Sequence, residues 1–132
     1  MKEITKRWLD FAKADLEAAE VLYESGKTHW SDQLCVYHCH QCVEKILKTT
    51  AIEKGNQPKR IHDLVSLLEE SSVELPEHLQ EYIKELNPHY QLPRYPDMPA
   101  RGPVFKYDKR VAEYHIKKTK EILLWLKKSI LK

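Results

Sequence analysis

The sequence predicts an all-α fold, a five-helix up-and-down bundle, and three observations predict it. Most of the 132-residue chain repeats apolar side chains at spacings of three and four, the period of a helix with one face on a core. No run alternates apolar and polar residues with the period of two that a half-buried strand requires. Glycine and proline punctuate the helical runs, so most connections are short turns between neighbouring helices.

Residues 3–25 form the first expected helix, with Ile4, Trp8, Phe11, Ala12, Ala19 and Leu22 as its stripe and Gly26 as its stop. Asp15 interrupts that stripe. An unpaired carboxylate there would cost several kcal/mol, so Asp15 requires a donor from another helix or a helix N-terminus. Residues 28–54 make the central helix, with room for about seven turns. Thr28 is its N-cap, and Gly55 and Pro58 end it. Cys35, Val36, Cys39, Cys42, Val43, Ile46, Leu47 and Thr50 fall on its apolar side.

Residues 60–70 predict a short helix with Ile61, Leu64, Val65, Leu67 and Leu68 on one side, opening with His62 and Asp63. A charged His is disfavoured in a first turn. His62 is therefore expected to be neutral and to pair with Asp15 or Glu44. Pro76 suits a first helical position, and Leu79, Tyr82, Ile83 and Leu86 carry a fourth helix to about Asn87. Residues 87–107 hold five prolines and one glycine in 21 residues, which bars a regular element. From the N-cap Asp108 a last helix runs to near the C-terminus, burying Ala112, His115, Ile116, Thr119, Ile122, Leu123, Leu126 and Ile130.

The length suits a single domain, residues 1–132. With 42% apolar and 32% charged residues the chain can build a core and is not expected to be disordered. Residues 1–20 alternate charge with apolar side chains, unlike a signal peptide, and nowhere do eighteen apolar residues occur together. A cytoplasmic location, away from membranes, is the expectation. Net charge is only +2 but unevenly placed: residues 60–90 hold two bases against seven acids, and residues 108–132 eight bases against three acids. Such polarity suits self-association or a charged partner; a basic solvated helix face would look the same.

Several constellations bear on chemistry. Tyr37, Gln41, Glu44 and Lys48 succeed one another along the central helix at spacings of four, three and four, forming one polar ridge with His40 and Trp30 nearby. It reads either as a solvated face or as a polar groove or subunit contact. The proline-rich segment adds Tyr90, Arg94, Tyr95, Asp97 and Arg101, side chains that can hold phosphate, stack on a base or clamp a partner. Cys35, Cys39 and Cys42 suggest a metal, but they share an apolar stripe from which His38 and His40 diverge, so no metal is expected and the thiols are read as buried and reduced. Arg110 and His115 form an Arg-x4-His pattern that five arginines and seven histidines can produce by chance. Glycine-rich phosphate loops and nucleophile motifs are missing from the sequence, and no cofactor is expected.

Four segments resemble the HEPN domain in order and spacing. They are WLDFAKADLEAAE at residues 8–20, QCVEKILK at 41–48, IHDL at 61–64 and RYPD at 94–97. The resemblance implies a five-helix domain, often a homodimer, frequently paired with a minimal nucleotidyltransferase encoded beside it, and associated with nucleotide or RNA binding. Some members are metal-independent ribonuclease toxins using an Arg and a His four to six residues apart, and some are silenced by adenylylation of a Tyr. After Arg94 the positions expected to hold that His are Pro99, Ala100 and Arg101, so the resemblance is to the non-nucleolytic, RYPD-bearing branch. The expected function is a dimeric binding module for a nucleotide or a nucleotidyltransferase, using Tyr37, Gln41, Glu44, Lys48, His62, Tyr90, Arg94, Tyr95 and Asp97. One alternative is an RNA-cleaving toxin using Arg110 and His115. The other is a purely structural dimerisation subunit.

Overall fold

The computed structural model describes residues 1–97 and 106–131. In order along the chain come α1 (Glu3–Ser25), α2 (His29–Glu53), α3 (Leu64–Ser71), α4 (Glu77–Leu86), a 3-10 turn (Asn87–Tyr90) and α5 (Lys109–Ser129). There is no strand among the described residues.

Local chemistry sets most of the helix starts. The Thr28 side chain accepts from the Ser31 amide and the Asp108 side chain from the Val111 amide, each relieving one of the unpaired N–H groups of a first turn. Asp63 does the same for Val65 and also accepts from Ser66, while Asn87 Oδ1 accepts from the Leu64 amide at 2.8 Å. Hence α3 starts at Leu64 and not at Arg60 as the periodicity suggests, because Asp63 is spent as the cap. His62 precedes the helix and can turn toward α2. Pro76 likewise is the residue before α4 rather than its first position.

The central helix is α2, packed against α1, α3, α5 and the 3-10 turn. Its C-terminal half is buried nearly all round, from Cys42 to Ala51 with only Lys45 partly exposed. Leu9, Ala12 and Leu16 of α1 meet Val36, Val43, Ile46 and Leu47 in the main core, closed by Leu64, Leu67, Ile83, Leu86, Ile122 and Leu126. Cys35 and Cys39 pack with Ala19, Ala112 and Ile116 in a second cluster.

The expected stripe of α1 is wrong in part. The buried side chains are Thr5, Leu9, Ala12, Asp15, Leu16 and Ala19, whereas Ile4 and Phe11 are 47% and 64% exposed. The helix carries two apolar faces, of which only one reaches this chain's core. Among the described residues no helix is long and apolar enough to cross a membrane.

Candidate functional site

Glu44 and Lys48 lie one turn apart on α2, and the fold buries both, leaving 4% and 8% exposed. Lys48 Nζ donates to Glu44 Oε2 at 3.1 Å, and His62 Nδ1 sits 2.8 Å from Oε1. Each carboxylate oxygen thus has a partner, without which a charge so far from water would be strongly destabilising. This half of the expected ridge is therefore not an open face. His62, from the connection between α2 and α3, and Tyr90, from the 3-10 turn, fold over it; the Tyr90 ring lies 5.2 Å from that of His62 and 5.3 Å from that of His40. Burial first, and then the neighbouring His62 and His89 rings, hold the His40 ring neutral, its pKa down to about 3.

The other half of the ridge is half-buried and meets the proline-rich segment. Gln33 Nε2 donates to the Pro93 carbonyl at 2.7 Å, pinning that segment to α2. The Arg94 guanidinium then lies 5.6 Å from the Tyr37 ring centre and 5.1 Å from that of Tyr95, and it donates to the Tyr95 hydroxyl at 3.0 Å. Gln41 Nε2 lies 3.5 Å from His40 Nδ1, joining the two halves. Arg94, Tyr95 and Asp97 are exposed. A planar cation held against two aromatic faces, with its outer edge in water, is arranged to accept a phosphate or carboxylate. Arg101 lies outside the described residues, as do Pro99 and Ala100.

Asp15 finds its donors on α2. His38 Nδ1 is 3.0 Å from Oδ1, and Lys45 Nζ pairs with Oδ2. Burial alone would raise the Asp15 carboxyl; the hydrogen bonds from His38 and Lys45 outweigh it and hold the group below its ordinary value. Those two donors are not legible in the sequence as partners, since both lie between the α2 faces that the spacing distinguishes.

Arg110 and His115, the alternative pair, lie on different faces of α5. His115 is 2% exposed, its Nδ1 is 2.6 Å from the Tyr82 hydroxyl, and burial, assisted by His89, lowers it to about 3. Arg110 stands on the exposed side of α5. Five residues along a helix is far from a whole number of turns, so the two cannot share a face. His115 belongs instead to a core cluster, its ring 5.2 Å from that of His89, whose Nδ1 is 2.7 Å from the Tyr107 hydroxyl. Tyr107 is buried, unlike Tyr95. Cys35, Cys39 and Cys42 are free and buried. Among the described residues no group of three or more His, Cys, Asp or Glu is placed to hold a metal ion.

The family model for the HEPN domain matches residues 5–130. The chain belongs to the HEPN family. A Methanocaldococcus jannaschii protein named "Putative toxin MJ1304" is 33% identical to this HEPN chain, over 89% of it and 82% of the relative. The fold is similar to TT1696 from Thermus thermophilus, with a TM-score of 0.82 at 25% identity over 96% of this chain and 98% of the other. It is also similar to ST0689, described as an archaeal HEPN homologue, with a TM-score of 0.75 at 29% identity over 98% and 99%.

Proposed function

We propose that this HEPN domain is the toxin-like member of a two-protein pair. In this reading it works as a homodimer that binds a minimal nucleotidyltransferase, or the nucleotide such a partner presents, at the corner formed by Arg94, Tyr95 and Tyr37. The observation that carries the reading is the Arg94 guanidinium, exposed yet oriented by two aromatic rings and a hydroxyl. Behind it, Gln41, His40, Tyr90, His62, Glu44 and Lys48 form the packed polar wall that fixes the corner, and Asp97 stands at its open side. The M. jannaschii relative, named as a toxin, supports the toxin-like half. The exposed Ile4 and Phe11 supply an apolar face that a second copy would cover.

The adjacent RYPD segment also bears on how the partner acts. If the nucleotidyltransferase modifies a tyrosine, the acceptor is Tyr95, whose hydroxyl is exposed beside a cation; Tyr107 is buried against His89. The test is capture of the nucleotidyltransferase encoded beside this chain, by wild type and by Arg94→Ala. Capture by wild type and loss in the variant, with unchanged thermal stability, is the expected outcome. Equal capture by both sinks the assignment of the corner. Total RNA incubated with the protein without metal is expected to stay intact, and cleavage would favour a nuclease instead.

A further inference from the structure

Asp15, His38 and Lys45 form a cluster that the Arg94 corner does not use. Asp15 comes from α1, and His38 and Lys45 stand seven residues apart on α2, close to two full turns, so both reach the same carboxylate. Asp15 Oδ1 lies 3.0 Å from His38 Nδ1, and Oδ2 meets Lys45 Nζ. The carboxyl is held below its ordinary value, so at neutral pH it is an ionised acceptor with no hydrogen of its own to give. His38 Nδ1 therefore carries the proton and donates it. In the neutral ring the lone pair stands on Nε2.

That nitrogen is open. Among the described residues Nε2 of His38 has no hydrogen-bond partner and is not sealed from water, and the side chain is 31% exposed. The other histidines are placed differently. His40, His89 and His115 are buried. His29 packs on the Trp30 ring, and His78 leans through its Nε2 on Glu121 at 3.3 Å, a carboxylate itself half in water. His62 is oriented by Glu44 in a like manner, but the Tyr90 ring lies against it. A histidine whose Nδ1–H is fixed on a buried carboxylate presents Nε2 as a nucleophile or base, because the carboxylate sets the tautomer and stabilises the positive charge that the ring acquires when Nε2 forms a bond. Positive charge stands beside it as well. Lys45 belongs to the cluster, and Tyr37, whose ring meets that of His38 edge-on at 5.4 Å, carries the Arg94 guanidinium 5.6 Å from its centre. An electrophile that suits this setting is itself anionic.

We propose that His38 is a phosphoryl acceptor, modified at Nε2 by a small acyl phosphate. Nε2 attacks the phosphorus, and an N–P bond forms as the bond from phosphorus to the acyl oxygen breaks. The carboxylate of the donor leaves with that electron pair. Nothing is oxidised or reduced, and the Nδ1 proton stays on the hydrogen bond to Asp15, whose negative charge offsets that of the phosphorylated ring. The assignment goes beyond the Arg94 corner and does not rest on a nucleotidyltransferase partner.

Incubation of the full chain with acetyl phosphate at neutral pH, followed by peptide mass spectrometry kept alkaline, tests it. A phosphate on His38 that survives alkali and is lost in acid, as an N–P bond is, is the expected product, and His38→Gln should not carry it. His38 should be labelled about tenfold faster than His29 or His78, the rate scale of one charge-assisted hydrogen bond, although the His78 side chain is 59% exposed against 31% for His38. Asp15→Asn keeps the size of the side chain and removes its charge, so labelling of His38 should slow by about tenfold in that variant. Wild type unfolded in urea provides the same comparison without a substitution: there the three histidines should be labelled at similar rates, because the advantage comes from the folded contact. The proposal is overturned if His38 of the folded protein stays unlabelled, if His29 or His78 is labelled as fast, if the advantage of His38 persists in urea, or if folded Asp15→Asn is labelled as the wild type is.

Discussion

Acidification from pH 7.5 to pH 5.5 is expected to remove about 4 kcal/mol of folding stability, a large share of the roughly 5–15 kcal/mol typical of a domain. His40, His89 and His115 are 0%, 3% and 2% exposed. Burial is the first cause of each depressed pKa, about 3, about 4 and about 3. In the unfolded chain the same rings titrate near 6.5, so on acidification the unfolded state takes up protons first. The stability is fully present above the unfolded value and is lost as pH falls from there toward the folded values. At pH 5.5 the unfolded ring is protonated about ten to one while the folded ring is neutral, which is about 1.4 kcal/mol for each of the three. The Asp15 carboxyl, held below its ordinary value, stays ionised across this window. Urea denaturation followed by tryptophan fluorescence at pH 7.5, 6.5 and 5.5 reads the loss directly. His115→Gln keeps a polar partner for Tyr82 and removes one titrating group, so its loss over the same range should fall to about 3 kcal/mol. Stability that stays level from pH 7.5 to 5.5, or any of the three rings protonating near 6.5 in the folded protein, would refute the reasoning.

Three further outcomes follow from single contacts. Asp15→Ala strips Lys45 and His38 of their shared carboxylate between α1 and α2 and should lower stability by about 1–3 kcal/mol in denaturant titration; an unchanged midpoint would mean the pair contributes nothing. Phe11→Glu, at a position 64% exposed, should leave the fold intact yet convert the proposed homodimer into a monomer in light scattering, and a variant that stays dimeric would move the self-association face elsewhere. Cys35, Cys39 and Cys42 are 0% exposed, and burial pushes the Cys42 thiol up to about 12. A thiol reagent should therefore label none of them until denaturant unfolds the chain, and rapid labelling of the native protein would contradict the packing.

The helices are legible because each carries its own period and its own boundary residue. Thr28 and Asp108 announce α2 and α5, and Gly26 is needed where α1 stops, since a Cβ there would lie 2.2 Å from Ser31 Cβ. Legibility fails where two local signals compete. Ile61 and Leu64 share a helical period, yet the Asp63 side chain captures the amide of Val65 and takes over the start of α3. In α1 the spacing of Ile4, Trp8 and Phe11 is as regular as that of Leu9, Ala12 and Leu16. Periodicity reports an apolar face, and whether that face meets this chain or another is decided by tertiary packing.

The same limit explains why Glu44 and Lys48 read as part of a solvated face, a groove or a subunit contact and are buried within this chain. A helical wheel assigns them a side of α2; it carries no information about what covers that side. The covering groups are His62 and Tyr90, 18 residues from Glu44 in the first case and contributed by the 3-10 turn in the second. Once Asp63 caps α3, His62 is displaced from the helix and its ring reaches Glu44 Oε1. The cap thus fixes where the connection of residues 54–63 runs, and that course sets Lys59 and Arg60 on the rim of a cleft that Lys48 lines from within. Weakening the cap should therefore loosen the connection of residues 54–63 before it disturbs the Arg94 corner, which Gln33 anchors independently to the first half of α2. Asp63→Ala should lower stability by about 1 kcal/mol in denaturant titration, the usual worth of an N-cap, while capture of the proposed nucleotidyltransferase partner persists. Loss of capture in a variant that remains folded would show that the corner depends on the cap after all.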